Sequence, residues 1–172
     1  MQLTITSKVR ILVNEDDKEI LLRTMYAYRD ACNFVSVHIF VNNVLNKRVL
    51  QNDLYYKLRN EYGLRSQMAI SVIRTVEARY RSLSSSNMPW TLIRFNKPQY
   101  DLVYNRDYSL KGDIFSVNTL EGRKKMSFCR PGSSLDGKLG TAKLIYIVTT
   151  SSICMYLSLM KCLMSQLKIS LM

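Results

Sequence analysis

Hydrophobic residues alternate at strand spacing between Leu3 and Val13 and recur at helical spacing between Leu21 and Leu83. The longest helical stripe steps by three or four residues and consists of Leu21, Met25, Tyr28, Cys32, Val35 and Ile39. Such a stripe is the buried side of an amphipathic helix. Between Leu3 and Val13 apolar and polar residues alternate, which is typical of a half-buried β-strand. This order predicts one strand followed by helices.

Two further helices are predicted after the first one. Asn14 can cap the first helix, and the acidic residues behind it suit the positive end of a helix dipole. A short helix is predicted over 51–60, with Leu54 and Leu58 facing inward. The third spans 65–83, and its buried stripe consists of Ala69, Ile73, Val76, Tyr80 and Leu83.

Beyond a linker that begins at Ser84, the pattern becomes β-rich. The strands that it predicts are Thr91–Phe95, Asp101–Tyr104, Asp113–Leu120, Arg123–Phe128 and Ala142–Ile147. Glu121 and Gly122 predict a tight hairpin turn between two of them.

The net charge of +12 and the pI near 9.7 limit the partner more than any other global property. Residues 1–64 contain nine Lys and Arg against seven Asp and Glu, whereas residues 65–147 contain fourteen against six. Such an excess favours a phosphate backbone over a small neutral substrate, because each cationic contact releases counterions. An anionic membrane surface is the alternative.

Three groups of cations are candidate phosphate contacts. Those of the third helix lie off its buried stripe, opposed there by Glu77 alone, and are Arg65, Arg74, Arg79 and Arg81. Those of the hairpin are Arg123, Lys124 and Lys125. A third group, interleaved with Trp90, Phe95, Tyr100, Tyr104 and Tyr108, consists of Arg94, Lys97 and Arg106. The alternatives are a solvated helix face, a charged edge strand and aromatic residues of the core.

No spacing in the chain predicts catalysis, a metal site or a cofactor. The four cysteines form no C-x-x-C pair, which favours reduced thiols. His38 is the single histidine, which favours a packing or surface role for it. Gly132–Lys138 matches a phosphate-binding G-x-x-x-x-G-K, but Leu139 replaces the Ser or Thr, so a glycine-rich loop is predicted.

Residues 148–172 differ in composition from the rest and predict a tail that did not evolve with the domain, such as one read in a shifted frame. Leu144–Met160 contains no charge, so a membrane segment is the alternative, although seventeen residues are marginal for crossing a bilayer.

An ordered series of segments between residues 9 and 147 resembles the amino-terminal part of the OrfB/TnpB family of insertion-sequence transposases, which are RNA-guided DNA endonucleases. The segments are LLRTMYAYRDACNFVS, LQNDLYYKLRNEYGLRSQMAISVIRTVEARYRSL, IRFNKPQYDLVYNRDYSL, FSVNTLEGRKKMSFC and LDGKLGTAKLIYI. The resemblance implies a wedge module, which is a β-barrel begun by the first strand, with a helical recognition module inserted after it. The expected fold is therefore α+β: one amino-terminal strand, a three-helix insertion and an antiparallel β-barrel-like module. The expected divisions are 1–14, 15–84, 85–147 and the tail 148–172.

The resemblance also implies a role in holding guide RNA and target DNA, whose sequence is read mainly by base pairing. Family members continue into a RuvC-like nuclease domain, to which this chain has no similar region, so a truncated, cytoplasmic, nucleic-acid-binding protein without a nuclease domain or small-molecule substrate is expected. Ser66 and Gln67 join the ten cations above as expected contacts. A non-functional gene fragment and a membrane-associated protein remain the alternatives.

Overall fold

The structure is a computed structural model and describes residues 2–129, 138–148 and 153–164. Strand β1 (Gln2–Leu12) is followed by three helices, α1 (Glu15–Asn42), α2 (Lys47–Glu61) and α3 (Ser66–Ser85). The strands that follow within the described residues are β2 (Tyr100–Val103), β3 (Tyr108–Lys111), β4 (Ile114–Thr119), β5 (Gly122–Cys129), β6 (Lys138–Val148) and β7 (Ile153–Met164).

Helix α1 forms as the sequence predicts. The Asn14 side chain accepts a hydrogen bond from the Asp17 amide at 2.7 Å, which satisfies one of the free donors of the first turn. All six residues of the predicted stripe are buried. The helix ends at Asn43, whose left-handed backbone (φ 51°) stops the helical hydrogen bonding.

Helices α2 and α3 pack on each other, and α3 also packs on α1. The α2 helix begins four residues earlier than predicted, because the Asn46 side chain caps its first turn. Leu54 and Leu58 are buried, as predicted. In α3 the stripe from Ala69 to Tyr80 is buried and Leu83 is half-buried.

The strands form one antiparallel sheet in the order β2-β6-β7-β1-β5-β4-β3. Its two edge strands follow each other in the chain, so the turn between Tyr104 and Asp107 nearly closes the sheet into a barrel. Asp107 is fully buried, and its carboxylate accepts hydrogen bonds from the Val103 amide at 2.9 Å and from the Arg106 guanidinium. The expected α+β fold class, with a barrel-like module after three helices, is confirmed.

The predicted strand Thr91–Phe95 is wrong. This segment lies along α1, and side chains take the place of a neighbouring strand. Asn33 accepts a hydrogen bond from the Phe95 amide at 2.8 Å and donates one to the Phe95 carbonyl at 3.1 Å. Ser36 donates to the Ile93 carbonyl at 2.6 Å. These bonds satisfy backbone groups that would otherwise be buried without partners.

The predicted hairpin forms, with its turn one residue earlier than expected. Thr119 pairs with Gly122, so Leu120 and Glu121 are the turn residues. Gly122 has φ +120°, a conformation that residues with a Cβ rarely adopt. Arg23 of α1 forms an ion pair with Glu121 and fixes the turn on the helix.

Residues 148–172 were predicted to be a tail that did not evolve with the domain, and β7, which lies within this range, occupies the middle of the sheet. It pairs with β1 on one side and β6 on the other. Its alternate residues Met155, Leu157 and Leu159 are buried, which is the pattern of a strand with one face on the core. The unusual composition of this segment therefore does not separate it from the barrel-like sheet.

Candidate nucleic-acid interface

Helix α3 presents cations to a groove of about 650 Å³ between itself and the sheet. Arg74 and Arg79 of α3 line one wall, and both are exposed. Arg106, from the turn between β2 and β3, and Lys143 of β6 line the other side. Asp101 is the one acidic residue among the described residues that line this groove. The groove therefore combines four positive charges with one negative charge, and one of the four, Arg106, also forms an ion pair with the buried Asp107 behind it.

A hydrogen-bonded network joins the two walls of the groove. The Thr75 hydroxyl donates to Asp101 Oδ2 at 2.9 Å, and the Ser71 hydroxyl donates to the Asp101 carbonyl at 3.2 Å. The Tyr28 hydroxyl bonds both Ser71 (3.2 Å) and Thr75 (3.0 Å), and burial is the main cause that raises the pKa of Tyr28. Lys143 Nζ lies 3.7 Å from Asp101 Oδ1. These contacts fix the position of α3 relative to β2 and β6.

A smaller hollow of about 280 Å³ continues the groove past Arg79, which lines both. Arg94 and Lys97 line it and are exposed. The segment that carries them is held to α1 by the two hydrogen bonds between Asn33 and Phe95. The sequence predicted these cations as a separate group, and the structure places them beside the helix cations.

A second basic hollow, of about 340 Å³, lies at the amino-terminal end of α3. Its lining residues are Arg59, Arg65, Ser66, Gln67, Met68 and Asn118. The first turn of α3 has no acidic residue and no side-chain cap, so its amide groups and helix dipole add positive potential there. The Arg65 guanidinium lies beside Gly122, so the β4–β5 hairpin borders this hollow.

The three hairpin cations do not share one surface. Because strand residues alternate between faces, Arg123 and Lys125 are exposed on one face of β5, and Lys124 is half-buried on the other. Arg123 donates hydrogen bonds to Ser116 at 2.8 Å and Ser109 at 3.1 Å. Only Arg123 and Lys125 can therefore contact the same ligand.

Arg81 has a structural explanation. It forms an ion pair with Glu77 at 2.8 Å, and its guanidinium also donates to the Leu45 carbonyl at 3.4 Å. The Glu77 side chain is only 10% exposed, so Arg81 compensates a charge that is nearly buried. It does not line the groove that Arg74 and Arg79 share.

The aromatic residues between Trp90 and Tyr108 belong to the core. Phe95, Tyr100 and Tyr108 are buried, whereas Trp90 and Tyr104 are half-buried against the core. None of the described residues that line the basic groove is aromatic. The interleaving of aromatic and basic residues therefore reflects alternation between core and surface, and base stacking in the groove is not supported.

Sequence reasoning missed Arg59 and Lys143. Lys143 alternates with the apolar residues of β6, and this period-two pattern was the available signal for an outward cation. Arg59 falls near the end of α2, and nothing in its sequence surroundings relates it to Arg65.

Other sequence features lie outside these hollows. His38 Nε2 is 4.0 Å from Asp53 Oδ2 on the helical side. Cys32 and Cys129 are free thiols. In the part of the chain that the structure describes, no three His, Cys, Asp or Glu residues are grouped as metal ligands, and no helix has the length and apolar content to cross a membrane. The glycine-rich loop predicted at Gly132–Lys138 lies outside the described residues, except for Lys138.

Comparisons with models of known protein families and with curated proteins found no match to this chain.

Proposed function

We propose that this chain binds the phosphate backbone of nucleic acid in the groove between α3 and the sheet. The observation that carries the proposal is the convergence of Arg74, Arg79, Arg106 and Lys143 on one groove whose described lining contains a single acid. Cations from two helix turns, a β-turn and a strand form an extended track, which suits a polyanion better than one small anion.

The lack of aromatic lining favours recognition of backbone shape over base stacking at this groove. An RNA–DNA heteroduplex fits this requirement, because a protein can hold it by its geometry and phosphates while base pairing reads the sequence. The basic hollow at the start of α3, with Arg65, Ser66 and Gln67, is proposed as a second contact with the same nucleic acid.

We further propose that the chain is related to the amino-terminal part of the OrfB/TnpB proteins and binds guide RNA and target DNA in the cytoplasm. The order of one strand, three helices and a barrel-like sheet supports this relation, since the resemblance implies that order. The proposal concerns binding and assigns no reaction to these residues.

The double variant Arg74→Gln and Arg79→Gln tests the groove. With a labelled RNA–DNA duplex of about 20 base pairs, fluorescence anisotropy should show affinity that falls steeply with salt for the parent chain. The slope of log affinity against log salt should decrease in magnitude in the double variant, by an amount that corresponds to roughly two phosphate contacts.

Lys57→Gln is the matched control, because Lys57 is exposed on α2 and does not line the groove. The slope of log affinity against log salt for this control should differ from that of the parent chain by the equivalent of less than about half a phosphate contact. Affinity of the parent chain that does not change with salt, or equal losses in Lys57→Gln and in the double groove variant, would contradict the proposal.

A further inference from the structure

The outer face of the central strands extends the cationic surface beyond the groove, whose lining already includes Lys143 and Ser158. In the residue ranges of β1, β6 and β7 there is no acidic residue. Lys8 and Arg10 of β1 are exposed, and neither has an ion pair among the described residues. Asp101 of β2 pairs with Lys143 at the border of this face, and the three central strands, which contain no acid themselves, create a positive field over the rest of it.

The strand register places an aromatic ring within this field. Tyr156 of β7 lies directly between Arg10 of β1 and Ile145 of β6. In the next row of the same face, Ser158 lies between Lys8 and Lys143. Directly opposed residues are about 5 Å apart and diagonal neighbours about 7–8 Å apart, so all three cations are within reach of a ligand on Tyr156.

Tyr156 belongs to the outer face, because its neighbours Met155 and Leu157 are buried and strand residues alternate. The side chain is half-buried and retains exposed surface. Among the described residues its ring has no aromatic or cation–π contact, unlike the paired rings of the core. A flat ring on a sheet face beside cations is an arrangement on which a nucleic-acid base can stack.

We propose that a base of single-stranded nucleic acid stacks on Tyr156 of this outer face, while Lys8, Arg10 and Lys143 bind the phosphates beside it. The inference rests on the proposed function, since it adds a single-stranded site to a protein that binds a duplex in the groove. Lys143 lines the groove and also belongs to the outer face, so a strand that leaves a duplex can continue from one to the other. Tyr156 lies in β7, outside the segments that resemble the OrfB/TnpB family.

Binding of a labelled oligo-deoxyuridine of about twelve nucleotides to the full chain tests the site. Tyr156→Leu should weaken this binding by at least about fivefold and change duplex binding by less than about twofold. Tyr156→Phe should bind like the parent chain, because stacking uses the ring. Tyr56→Leu, which removes the exposed tyrosine of α2, should have no effect.

A second measurement does not depend on variants. Photo-crosslinking with a 5-iodouracil oligonucleotide and mass spectrometry should identify Tyr156 as a crosslinked residue of the parent chain. Crosslinks confined to other residues would overturn the proposal, as would Tyr156→Leu binding the oligonucleotide like the parent chain. If the groove variants weaken the duplex and Tyr156→Leu changes nothing, this inference alone fails. If the groove variants also change nothing, the proposed function fails with it.

Discussion

Two buried tyrosines at the junction of α1 and β2 differ in whether the phenol has a partner. Their ring centroids are 5.0 Å apart. The Tyr28 hydroxyl bonds Ser71 and Thr75, whereas the Tyr100 hydroxyl has no hydrogen-bond partner among the described residues. Tyr28→Phe should lower the free energy of unfolding by about 1–2 kcal/mol. Tyr100→Phe should leave it unchanged or raise it by up to about 1 kcal/mol, because an unsatisfied polar group is removed.

Urea unfolding followed by circular dichroism measures both variants. A larger loss in Tyr100→Phe than in Tyr28→Phe would contradict this difference between the two hydroxyl groups. Both variants keep the ring, so the comparison isolates the hydroxyl from the packing of the aromatic side chain.

The same tyrosines make the free energy of unfolding depend on pH in the alkaline range. Burial is the main cause that raises the pKa of Tyr28 and of Tyr100 above the ordinary value near 10. Above about pH 10 the unfolded chain loses phenolic protons that the folded chain retains, so the free energy of unfolding falls as pH rises. The urea concentration at the midpoint of unfolding, measured between about pH 7 and 10.5, should stay constant up to about pH 10 and then decrease. The decrease should be smaller in Tyr100→Phe than in the parent chain. A midpoint that rises above pH 10 would contradict this sign.

At the scale of elements, the segment 91–95 shows how side chains can replace a strand. Asn33→Ala removes both hydrogen bonds to the Phe95 backbone, and a partly buried backbone amide and carbonyl lose their partner. We expect the free energy of unfolding to fall by about 1–3 kcal/mol. Asn42→Ala is the matched control on α1, since its side chain bonds an exposed carbonyl of its own helix, and it should change stability by less than about 0.5 kcal/mol. Equal losses in the two variants would show that the Phe95 backbone does not depend on Asn33.

The helices were predictable because their stripes are long and their caps are local. Leu21 to Ile39 repeats over five turns, and Asn14 marks the start of α1 without reference to any other element. The segment 91–95 was not predictable, because its partner is Asn33, sixty-two residues away. The alternation of apolar residues in this segment is compatible with packing against a helix as well as with pairing in a sheet.

The role of β7 was missed for a different reason. No Gly, Pro, Asn or Asp lies between the predicted strand Ala142–Ile147 and β7, so the sequence has no hairpin signal there, unlike the turn before β5. Placement in the middle of the sheet depends on register with β1, at the opposite end of the sequence. Pairing between strands so distant leaves little local signal.

At the scale of the whole molecule, the charge asymmetry predicted a polyanion partner but could not assemble the site. Arg74 and Arg79 were recognisable from one helix, and Lys143 joins them only because β2 and β6 pair beside α3. Lys124 was grouped with Arg123 by adjacency in sequence, and strand alternation separates them. Spacing along one helix thus indicated that Arg74 and Arg79 lie together, whereas the grouping of cations from different elements needed the structure.

The cooperative unfolding of the barrel-like sheet should depend on β7. Leu157 is fully buried between Val9 of β1 and Leu144 of β6, and all three side chains face the core. Leu157→Asp places an unpaired charge there and should cost more than about 4 kcal/mol, a large part of the stability of a domain of this size. Circular dichroism during heating should show a transition that is broadened or lost.

Ser158→Asp is the matched control in the same strand. Its side chain lies on the outer face beside Lys8 and Lys143, where a carboxylate meets opposite charge, so the melting temperature should stay close to that of the parent chain. If β7 were an appendage of the sheet, Leu157→Asp would melt like Ser158→Asp. A selective loss in Leu157→Asp would instead mean that β1, β7 and β6 unfold as one unit, and that the cationic outer face exists only while the barrel-like sheet is intact.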